Sequence, residues 1–223
     1  MMEFSPGFAE ALSLHSKFRA IRPNCLGWIE YRLDDQEMDY LWGCIPDKDR
    51  LTEDFFPCYD LSDKNKWFYK NTLLPTINKY KEEFGDVHEK LPAHEYFLSR
   101  WWVNVQKKHE FIPLHHHSGL YSFVVWMKIP YDVNEQGEKY GFADVGQKLD
   151  QQNDPDRTSN CGFFHFNYHD ILGRADTWKY PLNGSWEGTM LLFPSALQHA
   201  VSPFYGCDEG RISIAGNVSF RTV

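Results

Sequence analysis

The chain has 223 residues, with 23 Lys and Arg against 31 Asp and Glu for a formal net charge of −8, and 42% of it is hydrophobic and 17% aromatic. That length and apolar fraction exclude a disordered chain and suffice for one domain with a real core. No apolar run approaches the roughly 20 residues of a membrane-spanning helix, and the acidic balance excludes a general nucleic-acid binder, which needs a basic face to release counterions.

Taken in chain order, the first segment, Met1 to Gly7, has neither a basic n-region nor an apolar h-region, so no secretory signal is expected. Trp28 to Leu33 reads as extended. Asp34-Asp35 can cap a helix with Met38, Leu41, Trp42 and Ile45 on its apolar face, and Pro46 stops it. A longer helix is expected after Ser62, with Trp67, Leu74, Ile77, Tyr80 and Phe84 as a stripe and Gly85 past its end. Pro75 falls inside this pattern and predicts a kink or two abutting helices. From about residue 95 the signal turns to strands: Tyr96 to Val105, Leu120 to Ile129, Cys161 to Tyr168, Thr189 to Phe193 and Arg211 to Phe220. Short strands separated by turn residues predict a sandwich or barrel, with a jelly roll as the obvious closure. Helices first and strands after give an α+β, mainly β protein whose N-terminal helices brace one sheet face. The polar stretch Asp144 to Asn160 reads as a functional or mobile insertion. Cys25, Cys44, Cys58, Cys161 and Cys207 show no CxxC spacing, so free thiols in a reducing cytoplasm are expected ahead of an unpaired secreted protein.

The chemistry centres on His115-His116-His117. In an extended segment, side chains alternate faces, so His115 and His117 point the same way and can chelate one ion. The bland alternative is a set of surface or hydrogen-bonded core histidines. Downstream, His199 follows the strand Met190 to Ser195 by a short turn. A donor there completes a facial set of three that leaves positions open for substrate and O₂. Twelve residues on, Arg211 and Ser213 share a strand face. A guanidinium fork beside a hydroxyl suits a small carboxylate, although an isolated arginine is more often a surface ion-pair partner.

These residues occur in a recognisable order: Trp102-Val103-Asn104, Pro113 to Gly119, Ser122 to Trp126, Gly188 to Ser195, His199 to Phe204, and Arg211 to Asn217. The order resembles the Fe(II)/2-oxoglutarate-dependent oxygenases, and within them the branch encoded by tailed phages of cyanobacteria. The resemblance covers about residues 95–220, and the late block is its most specific part. It implies a double-stranded β-helix, or jelly-roll, core over residues 95–223, with residues 1–94 as a helical and extended support, forming one oxygenase domain. It implies that His115, His117 and His199 hold Fe(II), and that Arg211, with Ser213, binds the distal carboxylate of 2-oxoglutarate. Tyr121 and Asn104 are further candidates for that cosubstrate. The superfamily pattern is His-x-Asp/Glu followed by a distal His. Here His117 occupies the carboxylate position, which leaves open His117, a carboxylate such as Asp144 or Asp170, or His116 through a bulge.

The implied activity is a dioxygenase, a hydroxylase that oxidises a C–H bond of a protein, a peptide (a prolyl residue included) or a small molecule. Succinate and CO₂ would leave, with ascorbate as a stimulant. The implied partners are 2-oxoglutarate, O₂ and a primary substrate, with no nucleic acid and no membrane. Two rivals remain: a cupin-like three-histidine metal protein without 2-oxoglutarate, and a non-enzymatic jelly-roll virion or binding module.

Overall fold

In the computed structural model the described residues are 26–46, 59–87, 94–140 and 160–222. Met1 to Gly7, Cys25, Cys58, Asp144 and all of the 144–160 stretch except Asn160 lie outside them. Strand β1, Ile29–Arg32, leads into helix α1, Asp35–Cys44. Asp34 caps α1: its carboxylate accepts from the Glu37 N–H at 2.8 Å, and the Glu37 carboxylate accepts from the Asp34 N–H at 2.9 Å. This reciprocal box satisfies two backbone donors that the helix leaves free. Glu37 is buried, and its carboxylate also accepts from Thr72 Oγ1 at 2.6 Å, which ties α1 to the next helical segment.

Strand β2 is the short Tyr59–Asp60. The expected helix after Ser62 is divided into three pieces: a 3-10 turn at Lys64–Lys66, a π turn at Tyr69–Leu73 and helix α2 at Leu74–Phe84. Asn65 and Lys66, both at positive φ, set off the first piece, and Pro75 accounts for the wide turn before the third. It has no N–H to give, and its ring crowds the carbonyl four residues back. The wide turn, in which the Leu74 N–H bonds Tyr69 O, makes room before the regular helix resumes. Gly85 ends α2 at φ 80°, as the sequence predicts.

The remaining elements are β3 (His94–Gln106), β4 (Ile112–His115), β5 (Tyr121–Lys128), α3 (Val133–Tyr140), β6 (Phe163–His169), β7 (Ala175–Pro181), β8 (Thr189–Pro194), β9 (Gln198–Val201) and β10 (Arg211–Thr222). They form a six-stranded sheet in the order β1-β8-β5-β10-β3-β2 and a four-stranded sheet in the order β4-β9-β6-β7. Every pairing is antiparallel. This is the expected mainly β, double-stranded β-helix architecture.

The large sheet is buried on both faces. Along β5, Tyr121, Phe123, Val125 and Met127 pack toward the helices with Leu41, Phe68 and Ile77. Val124 and Trp126 pack toward the small sheet with Phe164, Phe166 and Phe193. A strand covered on both sides shows a continuous apolar run rather than alternation. The candidate site opens between the sheets, on the second of these faces. Among the described residues, no helix is long and apolar enough to cross a membrane.

Candidate metal centre and cosubstrate cavity

Strands β4 and β9 pair so that His115 stands directly opposite His199. His117 lies two residues beyond the end of β4, and its backbone N–H donates to Ser195 O at 2.9 Å. The turn back into β5 passes through Gly119 at φ 109°, a left-handed conformation that suits glycine. One cross-strand pair and one pinned loop residue thus bring three imidazoles together, with a ligand nitrogen from each within 4.8 Å of the others.

The ring nitrogens have distinct tasks. Nδ1 of His115 lies 2.8 Å from Pro113 O, and Nδ1 of His199 lies 2.9 Å from Leu197 O. A carbonyl only accepts, so both Nδ1 atoms carry the proton and both Nε2 lone pairs are free to ligate. Nε2 of His199 is 3.2 Å from Nε2 of His117. That separation fits two nitrogens on adjacent positions of one ion at metal–nitrogen distances of about 2.1 Å. Burial, reinforced by the neighbouring histidines, pushes His117 down to about 4. Burial also brings His199 down to about 3, against the Leu197 hydrogen bond that favours its protonated form. Both rings are therefore neutral at physiological pH, the form that binds a metal.

The other proposed ligands are elsewhere. His116 is exposed and outside the cluster. Asp170 closes its own turn, accepting from the Leu172 and Arg174 N–H groups and from Arg174 Nε. Asp144 lies outside the described residues. Among the described residues, the three histidines form the one cluster that could hold a metal. Three neutral nitrogen donors suit a borderline divalent ion.

The triad opens on a cavity of about 170 Å³ whose apolar walls include Phe123, Val124, Trp126, Phe164 and Phe193. Its polar lining is Asn104, Gln106, Ser213 and Arg211. A larger cavity of about 880 Å³ lies beside β3 and the Asp60–Lys70 segment, with none of the triad in its wall.

Arg211 is the charged group of the site, and it is buried. Its Nη1 donates to Tyr131 Oη at 2.8 Å, and its Nη2 donates to Gln106 Oε1. Both acceptors are themselves fixed. Gln106 gives its amide protons to Glu110 O and Ser202 O, which turns its oxygen toward Arg211. Tyr131 gives its proton to Gly162 O at 3.0 Å and stacks on Phe204. Neither acceptor carries a negative charge, so a buried guanidinium is held in place but not neutralised by them. A buried charge in that state favours an anionic partner.

The structure thus brings His115, His117, His199, Arg211, Ser213 and Asn104 to one cavity. Asn104 is partly engaged, since its Oδ1 accepts from Trp102 Nε1 at 3.1 Å. Tyr121 is not among the lining residues. It points to the helix side of β5, packed edge-on against Tyr80 and Tyr96. Tyr121 has the opposite parity to Val124 and Trp126, which face the small sheet, although Phe123, of its own parity, also borders the cavity. Gln106 and Tyr131 were not expected from the sequence. Gln106 shares parity with Trp102 and Asn104 on β3, a signal that could have found it. Tyr131 follows Pro130 outside any strand and carries no such signal.

A family model for 2OG-Fe(II) oxygenases matches residues 100–217, more than half of the chain. The chain belongs to the 2OG-Fe(II) oxygenase family. The family uses Fe(II) and 2-oxoglutarate, and the matched span contains the triad, Arg211 and the strands that carry them. Similar solved structures include a 2OG-Fe(II) oxygenase family oxidoreductase from Burkholderia pseudomallei, at 14% identity and TM-score 0.47 over 86% of this chain and 84% of that one. A prolyl-4-hydroxylase from Pseudomonas putida matches at 14% identity and TM-score 0.41 over 88% of each chain. HygX from Streptomyces hygroscopicus, solved with nickel and 2-oxoglutarate, matches at 11% identity and TM-score 0.38 over 87% of this chain and 82% of that one. No curated protein matches the sequence.

Proposed function

We propose that this 2OG-Fe(II) oxygenase is a dioxygenase that hydroxylates a C–H bond of a protein, peptide or small molecule, a prolyl residue being one candidate target. The observation that carries the proposal is the pairing, in one small cavity, of three converging imidazoles with a buried arginine whose two acceptors are both neutral. A three-histidine metal protein without 2-oxoglutarate would leave that arginine without a task. In this family, Fe(II) and 2-oxoglutarate together activate O₂ for substrate oxidation, with succinate and CO₂ released.

On this reading, His115, His117 and His199 hold the metal through Nε2. Arg211 receives the distal carboxylate on the N–H groups left free by Tyr131 and Gln106, and Ser213 adds a hydroxyl from the same wall. Charge-assisted paired bonds fix the plane of a carboxylate as well as its position. Asn104 orients the cosubstrate from β3. The aromatic walls exclude water, so that these charge interactions act at low dielectric. The described elements would function as one oxygenase domain, since β1 from the N-terminal support joins the same sheet as the core strands. The likeness to the phage-encoded branch belongs to this proposal and rests on His117 in place of a carboxylate. A reducing cytoplasm is the compartment in which Fe(II) and the thiols of Cys44, Cys161 and Cys207, none of them in a disulfide, persist together.

The test is succinate formation with Fe(II), ascorbate and 2-oxoglutarate, alone and with peptide and nucleotide pools, alongside a thermal shift with 2-oxoglutarate. The expected result is a 2-oxoglutarate-dependent shift and turnover, both abolished in His115→Ala and His199→Ala. Neither shift nor turnover in the wild-type protein would overturn the proposal.

A further inference from the structure

His117 is held differently from the other two histidines of the triad. Strand pairing sets His115 against His199, and the Nδ1 of each meets a carbonyl two residues before it. His117 lies beyond β4 and is caught through its main chain, by Ser195 O. What fixes Ser195 therefore fixes the third imidazole. Ser195 follows the last residue of β8 and is fully buried. Its N–H donates to Leu120 O at 2.9 Å, and its hydroxyl lies 2.9 Å from that of Ser122, which is 1% exposed. Ser122 in turn donates to Asn217 Oδ1 at 2.8 Å. A hydroxyl has one proton to give, so Ser195 is the donor to Ser122 and the row has one direction, from Ser195 through Ser122 to Asn217.

The row lies just behind the cavity. Ser122, Ser195 and Asn217 each stand two residues from a lining residue, Val124, Phe193 and Ala215, and none of the three is itself in the wall. The far end is anchored as well. Strand β3 carries one extra residue, Ser99, between the partners of Asn217 and Val218, and Ser99 Oγ donates to Asn217 O at 2.8 Å. A bulge of this kind re-aims the side chains beside it. The turn that follows His117 rests on the near end, since a Cβ at Gly119 would come within 3.5 Å of Ser195 Oγ.

We propose that Ser195, Ser122 and Asn217 are positioning residues for His117, and that their hydrogen-bonded row sets where its imidazole stands relative to the His115–His199 pair. The proposal rests on the three-histidine reading of the metal centre. Buried hydroxyls are costly to leave unpaired, so removing one member of the row disturbs the others. Loss of Ser122 takes the acceptor from the Ser195 hydroxyl and the donor from Asn217. The loop that carries His117 then loses its anchor, while the register of β4 on β9 is untouched. The change falls on one ligand of three.

The test uses Co(II) as a visible stand-in for Fe(II) and reads its d–d absorption and its affinity in the wild-type protein, Ser122→Ala and Asn217→Ala. His117→Ala supplies the spectrum of a centre without the third imidazole. Thr72→Ala is the control for stability alone: Thr72 is also 1% exposed, and its hydroxyl bonds Glu37 on the helix side of the large sheet. Ser122→Ala and Asn217→Ala should each weaken Co(II) by about 10–100-fold, the usual cost of losing a group that orients a metal ligand. Their bands should move toward those of His117→Ala. Thr72→Ala should lower Tm and leave bands and affinity unchanged. Asn217 is only half-buried, so Asn217→Ala carries the test if Ser122→Ala does not fold. Wild-type bands and affinity in the folded alanine variants overturn the proposal, as do equal changes in Thr72→Ala. A wild-type protein that binds no Co(II), or a His117→Ala spectrum identical to wild type, removes the three-histidine reading itself, and the proposal with it.

Discussion

At the scale of single residues, two groups hold the buried guanidinium of the cavity, and neither belongs to the histidine triad. Tyr131 and Gln106 hold the two ends of the Arg211 fork. Removing the phenol oxygen leaves one guanidinium N–H and the Gly162 carbonyl without their partner. A hydrogen bond to a charged group contributes about 1.5–3 kcal/mol. Tyr131→Phe should therefore raise the 2-oxoglutarate KM by on the order of tenfold, with metal content unchanged. Arg211→Ala should raise it far more than it lowers bound iron, and equal loss of both would make Arg211 a purely structural residue. Titration belongs to the same scale. Burial holds His117 at about 4 and His199 at about 3, both below the usual 6.5. The unfolded chain therefore takes up protons that the folded, metal-free protein refuses. Stability from these rings is fully present above about pH 6.5 and is lost as the pH falls through their folded values. Melting curves of the metal-free protein between about pH 7 and pH 4 should fall more steeply than those of His199→Gln. Parallel curves would mean that neither ring is held neutral.

Elements set what single residues can do. The triad exists because β4 and β9 pair in a register that places His115 against His199, and because His117 is caught by Ser195 O just beyond the strand. The alternation argument placed His115 and His117 on one side, but only half of the reason was visible. His117 is not in the strand, and a loop hydrogen bond does what strand periodicity was expected to do. Strands β5 and β8 were legible because nearly all of their positions are buried, and β10 because its buried positions alternate from Ile212 to Val218. Strand β7 was not legible: Ala175 to Lys179 are all exposed, so their composition carries no alternation of apolar and polar residues. Strand β9 has four residues, too few for a period to show. Tyr131 is likewise placed by something that no local pattern announces. Gly162 has φ 77°, and a Cβ there would come within 2.7 Å of the Tyr131 ring. Gly162→Ala should cost about 1–2 kcal/mol from backbone strain alone, or a fall in Tm of roughly 2–8 °C for a chain of this size. It should also raise the 2-oxoglutarate KM, because the displaced ring carries the oxygen that holds Arg211. A lower Tm with an unchanged KM would show that the ring yields without moving the hydroxyl.

On the scale of the whole molecule, the large sheet separates two cores with different duties. On its helix side, Phe68 is fully buried and stacks on Trp101 at 5.5 Å with the rings 9° apart. On its other side, Phe164 is equally buried but contacts Trp126 at 5.7 Å and His199 at 5.8 Å, and it lines the cavity. The sequence showed that aromatics were abundant, yet composition cannot sort them between these cores, because the sorting depends on which face of a shared sheet each strand position presents. Truncating either ring to alanine removes a comparable buried volume and should cost about 3–5 kcal/mol, lowering Tm by roughly 6–20 °C. The consequences for the site should diverge. Phe68→Ala removes no lining side chain and reaches the cavity only through Phe123, so the folded fraction should keep most of its metal affinity and 2-oxoglutarate KM. Phe164→Ala opens the cavity to water beside His199, raises the local dielectric and weakens every charge interaction inside. Its folded fraction should therefore bind both metal and 2-oxoglutarate more weakly. Calorimetric titration of both variants below their melting transitions separates the two cases. Equal losses would mean that the sheet transmits strain from the helix side to the cavity, and that the two cores act as one.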